Sequence, residues 1–263
     1  MNVPERMPAG PRDDSLPRPQ TPERPFVQGL FDWLEPNYEA ALAAYSLGQD
    51  LRWKGTLLHR LRPQEGEQGL DLASGTGLIY RRLTRRLGPN SVVGLDINRA
   101  MLRRARRCDP GARLVQADSV RLPFRDASFD LVTAGYLFKY VPLDALAREV
   151  RRVLRPSGRF GGYDFSAPQV DRPIGRLYAH YLHRVLPALA RWRADGVDRW
   201  PELFGFLSQV AAGSRWEGRV NDAFRGAGFD PVDRVASLGG AITWVWAKLP
   251  EATDRPPSPE EIR

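Results

Sequence analysis

Three features of this 263-residue chain predict a doubly wound α/β fold built on a mostly parallel, seven-stranded sheet. Between residues 69 and 164, short apolar runs alternate with amphipathic helical stretches, the pattern of consecutive strand–helix units. The first run ends in Asp71 and passes through a small-residue turn, Ala73-Ser74-Gly75-Thr76-Gly77, directly into an arginine-rich helix, as in Rossmann-like first units. Near the end, two β-rich runs flank Gly239-Gly240, which predicts a closing hairpin and one antiparallel strand at the edge of the sheet.

Each element has its own signal. Residues 69–73 form the first strand and 79–87 a helix, stopped by Gly88-Pro89. A second strand at 91–96 leads into a helix at 98–107, with Asn98 as N-cap. The third strand, 113–117, runs into Asp118; the fourth spans 129–134, and 143–154 is again helical. Arg155-Pro156-Ser157-Gly158 reads as a turn before the fifth strand at 159–164. A long insert, 167–215, precedes a helix at 216–225, and 229–235 with 241–248 make the final strand pair.

The flanks differ. Residues 1–25 and 250–263 are rich in Pro, Arg and acidic residues, bury too little to offset ordering entropy, and are expected to be unstructured tails around one domain, 26–249. No apolar run approaches the ~20 residues that cross a bilayer. No charged-then-apolar leader opens the chain, so a cytoplasmic protein is expected. The single Cys108 excludes an intrachain disulfide and a cysteine metal cluster. Net charge is +8, and only Lys54, Lys139 and Lys248 are lysines. Arginines crowd 81–86, 103–107 and 148–155; they read as solvated helix faces. Their charge also suits peripheral contact with an anionic membrane at its inner face, whereas no appended module points to nucleic acid.

The chemistry lies at the strand ends. The turn Asp-x-x-x-Gly-x-Gly lacks the third glycine that lets a pyrophosphate approach, and the charge of Asp71 would repel one. It suits a ligand carrying an ammonium and a sulfonium, which points to S-adenosyl-L-methionine and methyl transfer. Asp96 is placed to meet the hydroxyls of a ribose. Asp118 is placed to accept an adenine amine, with a backbone N–H beside it for a ring nitrogen. Cofactor-binding candidates are therefore Asp71, Ala73, Ser74, Gly75, Gly77, Asp96, Ile97, Asp118 and Ser119, joined by Tyr136 and Tyr38. No metal site is expected, since His180 and His183 supply too few ligands.

Residues 71–77 resemble motif I of the class I methyltransferases. Ala117-Asp118-Ser119-Val120-Arg121-Leu122-Pro123-Phe124, Ser128-Phe129-Asp130-Leu131-Val132 and the run from Glu149 to Arg159 resemble their later motifs. Phe31-Asp32-Trp33-Leu34-Glu35-Pro36-Asn37-Tyr38, Ser46-Leu47-Gly48 and Arg52-Trp53-Lys54 are similar to the N-terminal helices of the C-methyltransferases of menaquinone and ubiquinone biosynthesis. Pro173-Ile174-Gly175-Arg176-Leu177-Tyr178 and Val185-Leu186-Pro187 are similar to that family's segment after the fifth strand. Where the family carries Phe-Gly-Leu-Arg-Asn-Val, this chain reads Tyr136-Leu137-Phe138-Lys139-Tyr140-Val141, and lysine does not replace the planar fork of arginine. The family's later Glu-Ser pair has no counterpart near 206–210.

The resemblance implies N-terminal helices, a prenylated quinol of the demethylmenaquinol type as acceptor, and C-methylation. Another small-molecule or lipid acceptor, an RNA, and a non-catalytic cofactor-binding protein are the alternatives. Carbon methylation on a hydroquinone calls for deprotonation, for which Asp164, Tyr136, Tyr140 and His180 are the candidate bases. The insert carries Tyr178, Tyr181, Trp192, Trp200, Phe204 and Phe206, and is expected to be a lid over an apolar acceptor. Tyr38 and Trp53 are expected to close the other side, over the cofactor.

Overall fold

The structure is a computed structural model that describes residues 24–192 and 215–251. The expected tails therefore lie outside the described residues except for 24–25 and 250–251, as does the second half of the insert. Three helices come first: α1 (Arg24–Leu34), α2 (Tyr38–Tyr45) and α3 (Asp50–Leu61). The alternating region follows as β1 (Gly69–Leu72), α4 (Leu78–Leu87), β2 (Val92–Asp96), α5 (Arg99–Cys108), β3 (Leu114–Gln116), β4 (Phe129–Gly135), α6 (Leu143–Val153) and β5 (Leu154–Phe165). The described part of the insert forms α7 (Pro173–His180), a π-helical turn (Tyr181–Val185) and α8 (Leu186–Trp192). Helix α9 (Val220–Gly226), β6 (Val232–Ser237) and β7 (Ile242–Lys248) complete the chain.

The strands form one seven-stranded sheet in the order β3-β2-β1-β4-β5-β7-β6. The first five are parallel, and the order reverses direction between β1 and β4. As expected, the closing hairpin forms one edge; within it β7 is the antiparallel strand, paired with β5 on one side and β6 on the other. Central β1 and β2 are buried along their whole length, which is why they read as unbroken apolar runs.

Local chemistry sets the element ends. Asn98 caps α5, its side chain accepting the Met101 N–H at 2.9 Å, while Met101, Leu102 and Ala105 turn inward. Gly88, at φ +101°, ends α4. The expected turn at 155–158 is instead a bulge within β5, which starts at Leu154 and shifts register opposite Phe129 and Leu131. Ser157 has φ +62°, and a Cβ on Gly158 would meet the Arg155 carbonyl at 2.6 Å. The bulge takes up the extra residues between Leu154 and Arg159 without ending the strand.

Both faces of the sheet are covered. Leu146 and Val150 of α6, with Phe224 of α9, pack on Val132, Phe160 and Val245. On the other face Leu57 and Leu58 of α3 and Leu83 of α4 pack on Leu131, Tyr163 and Trp244. After the insert the chain is re-anchored by Trp216, whose buried indole N–H donates to the Phe165 carbonyl at 2.8 Å. Several arginines expected on solvated faces act as ties. Arg152 donates to the carbonyls of Phe124 and Leu122 at 2.7 and 2.9 Å and pairs with Glu149. Arg155 pairs with Asp130, and Arg107 with Glu35.

Gly162 tests this packing. A Cβ there would lie 2.5 Å from the Phe138 ring and 3.1 Å from the Ala134 carbonyl, so Gly162→Ala is expected to cost ~1–3 kcal/mol in urea unfolding. Gly55, in α3, has open space around its Cβ position, and Gly55→Ala should stabilise by ~0.5–1 kcal/mol. Equal midpoints for both variants would contradict the close packing around β5.

Candidate active site

Beyond the carboxyl ends of β1, β2 and β4 the chain opens into a cleft. Its floor is the turn after β1. Ala73 and Gly75 have φ +49° and +55°, and Gly75 has no Cβ to narrow the cleft. The Gly75 N–H donates to Asp96 Oδ2 at 2.8 Å, and the Asn98 N–H to Oδ1 at 2.8 Å. Burial pushes the Asp96 carboxyl up to about 6 against these backbone donors. Ile97, Asp118 and Ser119 continue the wall, with Asp118 Oδ1 accepting the Val120 N–H at 3.1 Å.

The remaining motif residues sit below the floor. Gly77, at φ +82°, starts α4, and a Cβ there would press on Arg81 and Ala105. Ser74 is buried, and its hydroxyl has no partner among the described residues. Asp71 does not face the cleft, contrary to the expectation from its strand-end position. Its carboxylate accepts the hydroxyl of Thr133, paired with it on the neighbouring strand β4, at 2.7 Å. Burial pushes that carboxyl up to about 7, with the Thr133 bond opposing, and Oδ2 has no partner among the described residues.

Helix α1 roofs the cleft together with Tyr38, on the side that Tyr38 and Trp53 of the N-terminal helices are expected to close; Trp53 does not line it. Gln28 and Phe31 line it, and the Asn98 amide donates to the Gln28 carbonyl (3.1 Å) and to Asp32 Oδ1 (3.0 Å). An N-cap signal marked Asn98, but nothing local revealed its second contact, 66 residues away.

A second, smaller cavity shares Phe31, Tyr38, Tyr136 and Tyr140 with the cleft and continues to Leu42, Tyr45 and Phe165. Tyr136, at φ +59°, stacks on Phe165 with centroids 4.9 Å apart, and its hydroxyl donates to Asp50 at 2.7 Å. Asp50 also pairs with buried Lys54. Tyr140 meets Phe31 edge-on at 5.7 Å. Burial pushes the phenols of Tyr38, Tyr136 and Tyr140 well above the usual tyrosine range. Lys139 is the sole charged residue lining this cavity among the described residues; it lies over the Tyr140 ring at 4.6 Å and pairs with Asp164.

The other candidates are elsewhere. Asp164 is fully buried and lines neither cavity; besides Lys139 it accepts the Phe165 N–H at 2.7 Å. His180 and His183 are exposed and line neither cavity. Trp53 is packed between Phe165 and Trp244, away from both cavities. Tyr178 and Tyr181 donate to the carbonyls of Tyr45 and Ala44 and so clamp the insert to α2. The side chain of Trp192, and Trp200, Phe204 and Phe206, lie outside the described residues. No group of three metal-ligating side chains occurs among the described residues.

Comparison with known proteins settles the family. Residues 20–248 match the model of the ubiE/COQ5 methyltransferase family. The chain belongs to that family. It is 32% identical to a ubiquinone/menaquinone biosynthesis C-methyltransferase UbiE of Caulobacter vibrioides, over 84% of this chain and 92% of that one. Against a demethylmenaquinone methyltransferase of Beutenbergia cavernae the identity is 35%, over 74% and 79% of the two chains. The fold is that of a SAM-dependent methyltransferase from Aquifex aeolicus, with a TM-score of 0.51, 19% identity and coverage of 80% and 98%. The protein is thus an S-adenosyl-L-methionine-dependent methyltransferase. The cleft fits that cofactor: among the described residues its lining includes the carboxylates of Asp96 and Asp118 and no lysine or arginine, which suits a sulfonium and disfavours a pyrophosphate.

The Lys139–Asp164 pair gives a direct test. Burial pulls the Lys139 ammonium below the usual lysine range and pushes the Asp164 carboxyl up, each partner opposing the other's shift. Lys139→Met should cost about 3–5 kcal/mol in urea unfolding by stranding a buried carboxylate. Adding Asp164→Asn should recover part of that loss; no recovery would show that the charge is not the cause.

Proposed function

We propose that the methyl acceptor is the ring of a prenylated quinol of the demethylmenaquinol type, methylated on carbon and bound in the aromatic cavity. The observation that carries this reading is the sharing of walls: Phe31, Tyr38, Tyr136 and Tyr140 border both the cofactor cleft and the apolar cavity. A flat apolar ring between these side chains lies next to the cofactor and away from water. The names of the Caulobacter and Beutenbergia relatives support the same acceptor class.

In this reading Asp96 accepts the ribose hydroxyls with the lone pairs left over from its two backbone donors. Asp118 and the Ser119 backbone meet the adenine, and Ala73, Gly75 and Ile97 border the rest of the ligand. Asp71, Ser74 and Gly77 act from below, by holding the turn. When bound, S-adenosyl-L-methionine supplies a methyl group activated on a sulfonium. The chain contributes position: Tyr136 and Tyr140 hold the ring at the junction of the two cavities, where orientation supplies much of the rate enhancement. With raised pKa values, these phenols stay protonated and serve as donors rather than bases. Asp164 is occupied by Lys139, and His180 lines neither cavity, so neither is placed to take the hydroxyl proton of the acceptor. The described part of the insert, 167–192, is held against α2 through Tyr178 and Tyr181, beside the acceptor side.

Two measurements test these assignments. Cofactor affinity by calorimetry should weaken as pH falls through about 6, because protonated Asp96 loses acceptor strength. In Asp96→Ala affinity should drop about 10- to 100-fold and this pH limb should vanish; a variant that binds like wild type would remove Asp96 from the site. Incubation with methyl-labelled cofactor and separate prenylated quinol, lipid and RNA fractions should place label on a quinol ring carbon. Label on oxygen or in RNA alone would overturn the acceptor assignment.

A further inference from the structure

Among the described residues eight large apolar side chains are exposed, and seven of them fall at 47–51 and 170–189. Along α7, the π-helical turn and α8, Ile174 (60% exposed), Leu177 (70%), Val185 and Leu189 make an outward stripe, while Gly175, Tyr178, Leu182 and Leu186 face the core. The hydroxyls of Tyr178 and Tyr181 reach the carbonyls of Tyr45 and Ala44, so this segment is fixed to the end of α2, just before exposed Leu47 and Leu51 in the chain. Leu47 sits at φ +53°, an unusual conformation for a leucine. The platform is rigid at its base, since a Cβ on Gly175 would collide with the Gln169 carbonyl and lie 2.9 Å from the Gly239 carbonyl.

The charge around the stripe is mostly positive. Residues 170–192 contain four arginines and two histidines against one acidic residue, Asp171. Arg172, Arg176 and Arg184 are exposed. The arginine-rich helices α4, α5 and α6 differ: they expose no large apolar side chain, and several of their guanidinium groups are tied within the chain.

We propose that the α7–α8 stripe, with Leu47 and Leu51, is a docking face for an anionic lipid bilayer. Its apolar side chains enter the boundary between headgroups and acyl chains, and the flanking arginines meet the lipid phosphates. A second copy of the chain fits this face poorly, because a two-fold contact would set arginine against arginine. The position suits the acceptor: Tyr45, whose carbonyl Tyr178 holds, also lines the aromatic cavity, so a prenyl tail has a short path from membrane to ring site. This last point rests on the prenylated-quinol reading, whereas docking does not.

Vesicles without quinol test the docking face alone. The full-length protein should co-sediment with phosphatidylcholine–phosphatidylglycerol vesicles, less with phosphatidylcholine alone, and less as salt rises. Ile174→Asp/Leu177→Asp should weaken binding at least about tenfold for each side chain, with cofactor affinity by calorimetry unchanged. Arg172→Ala/Arg176→Ala should lower binding to the anionic vesicles only. The proposal is overturned if wild type does not bind, if the aspartate variant binds equally, or if sedimentation velocity finds a dimer that these aspartates dissociate. Vesicle binding without methylation of any quinol would uphold the docking face and overturn the acceptor assignment.

Discussion

The carboxylate of Asp96 holds the active cleft together. It accepts the Gly75 N–H from the turn after β1 and the Asn98 N–H at the start of α5, both at 2.8 Å. Asn98 in turn caps α5 through Met101 and donates to Gln28 and Asp32 on α1. Floor, wall and roof of the cleft therefore share one anchor at the end of β2. Burying that anchor carries a desolvation cost, visible in its raised pKa, which backbone donors only partly offset.

Around this anchor the site is held rigid by groups that are unfavourable elsewhere in a fold. Ala73 and Tyr136 border the cleft in left-handed conformations at φ +49° and +59°, and such strain persists only where neighbours over-determine the backbone. For Tyr136 the neighbours are Phe165, stacked on its ring, and Asp50, which accepts its hydroxyl. Asp50 is itself fixed by Lys54, and Lys139 by Asp164, so two buried ion pairs brace the aromatic cavity. Buried pairs of this kind are weak contributors to net stability. Their effect here is to hold ring faces in place, as in-line methyl transfer requires.

Much of this could be read along the chain. Strand–helix alternation showed itself because central strands are buried on both faces and their helices on one, which gives distinct apolar periods. The glycine turn and the cap at Asn98 were legible because a left-handed φ and a helix start each demand particular residue types. The bulge at 155–158 was not, since its residues favour a turn and only pairing with Phe129 and Leu131 extends the strand through it. The strand-end position of Asp71 predicts a side chain that faces the ligand, whereas the Thr133 hydroxyl on neighbouring β4 engages it, a contact that local pattern does not encode.

The sequence by itself determined the class of the sheet, the order of its units and the acidic, glycine-bearing strand ends that mark the cofactor. These depend on residue types within a few positions of one another. The tertiary structure alone decided that α1 roofs the cleft, that Lys139 and Asp164 neutralise each other beside the aromatic cavity, and that an apolar stripe of the insert is exposed among the described residues. Each joins or exposes surfaces contributed by distant segments. A side chain's burial and partners are set by packing across the sheet, and local pattern does not encode them.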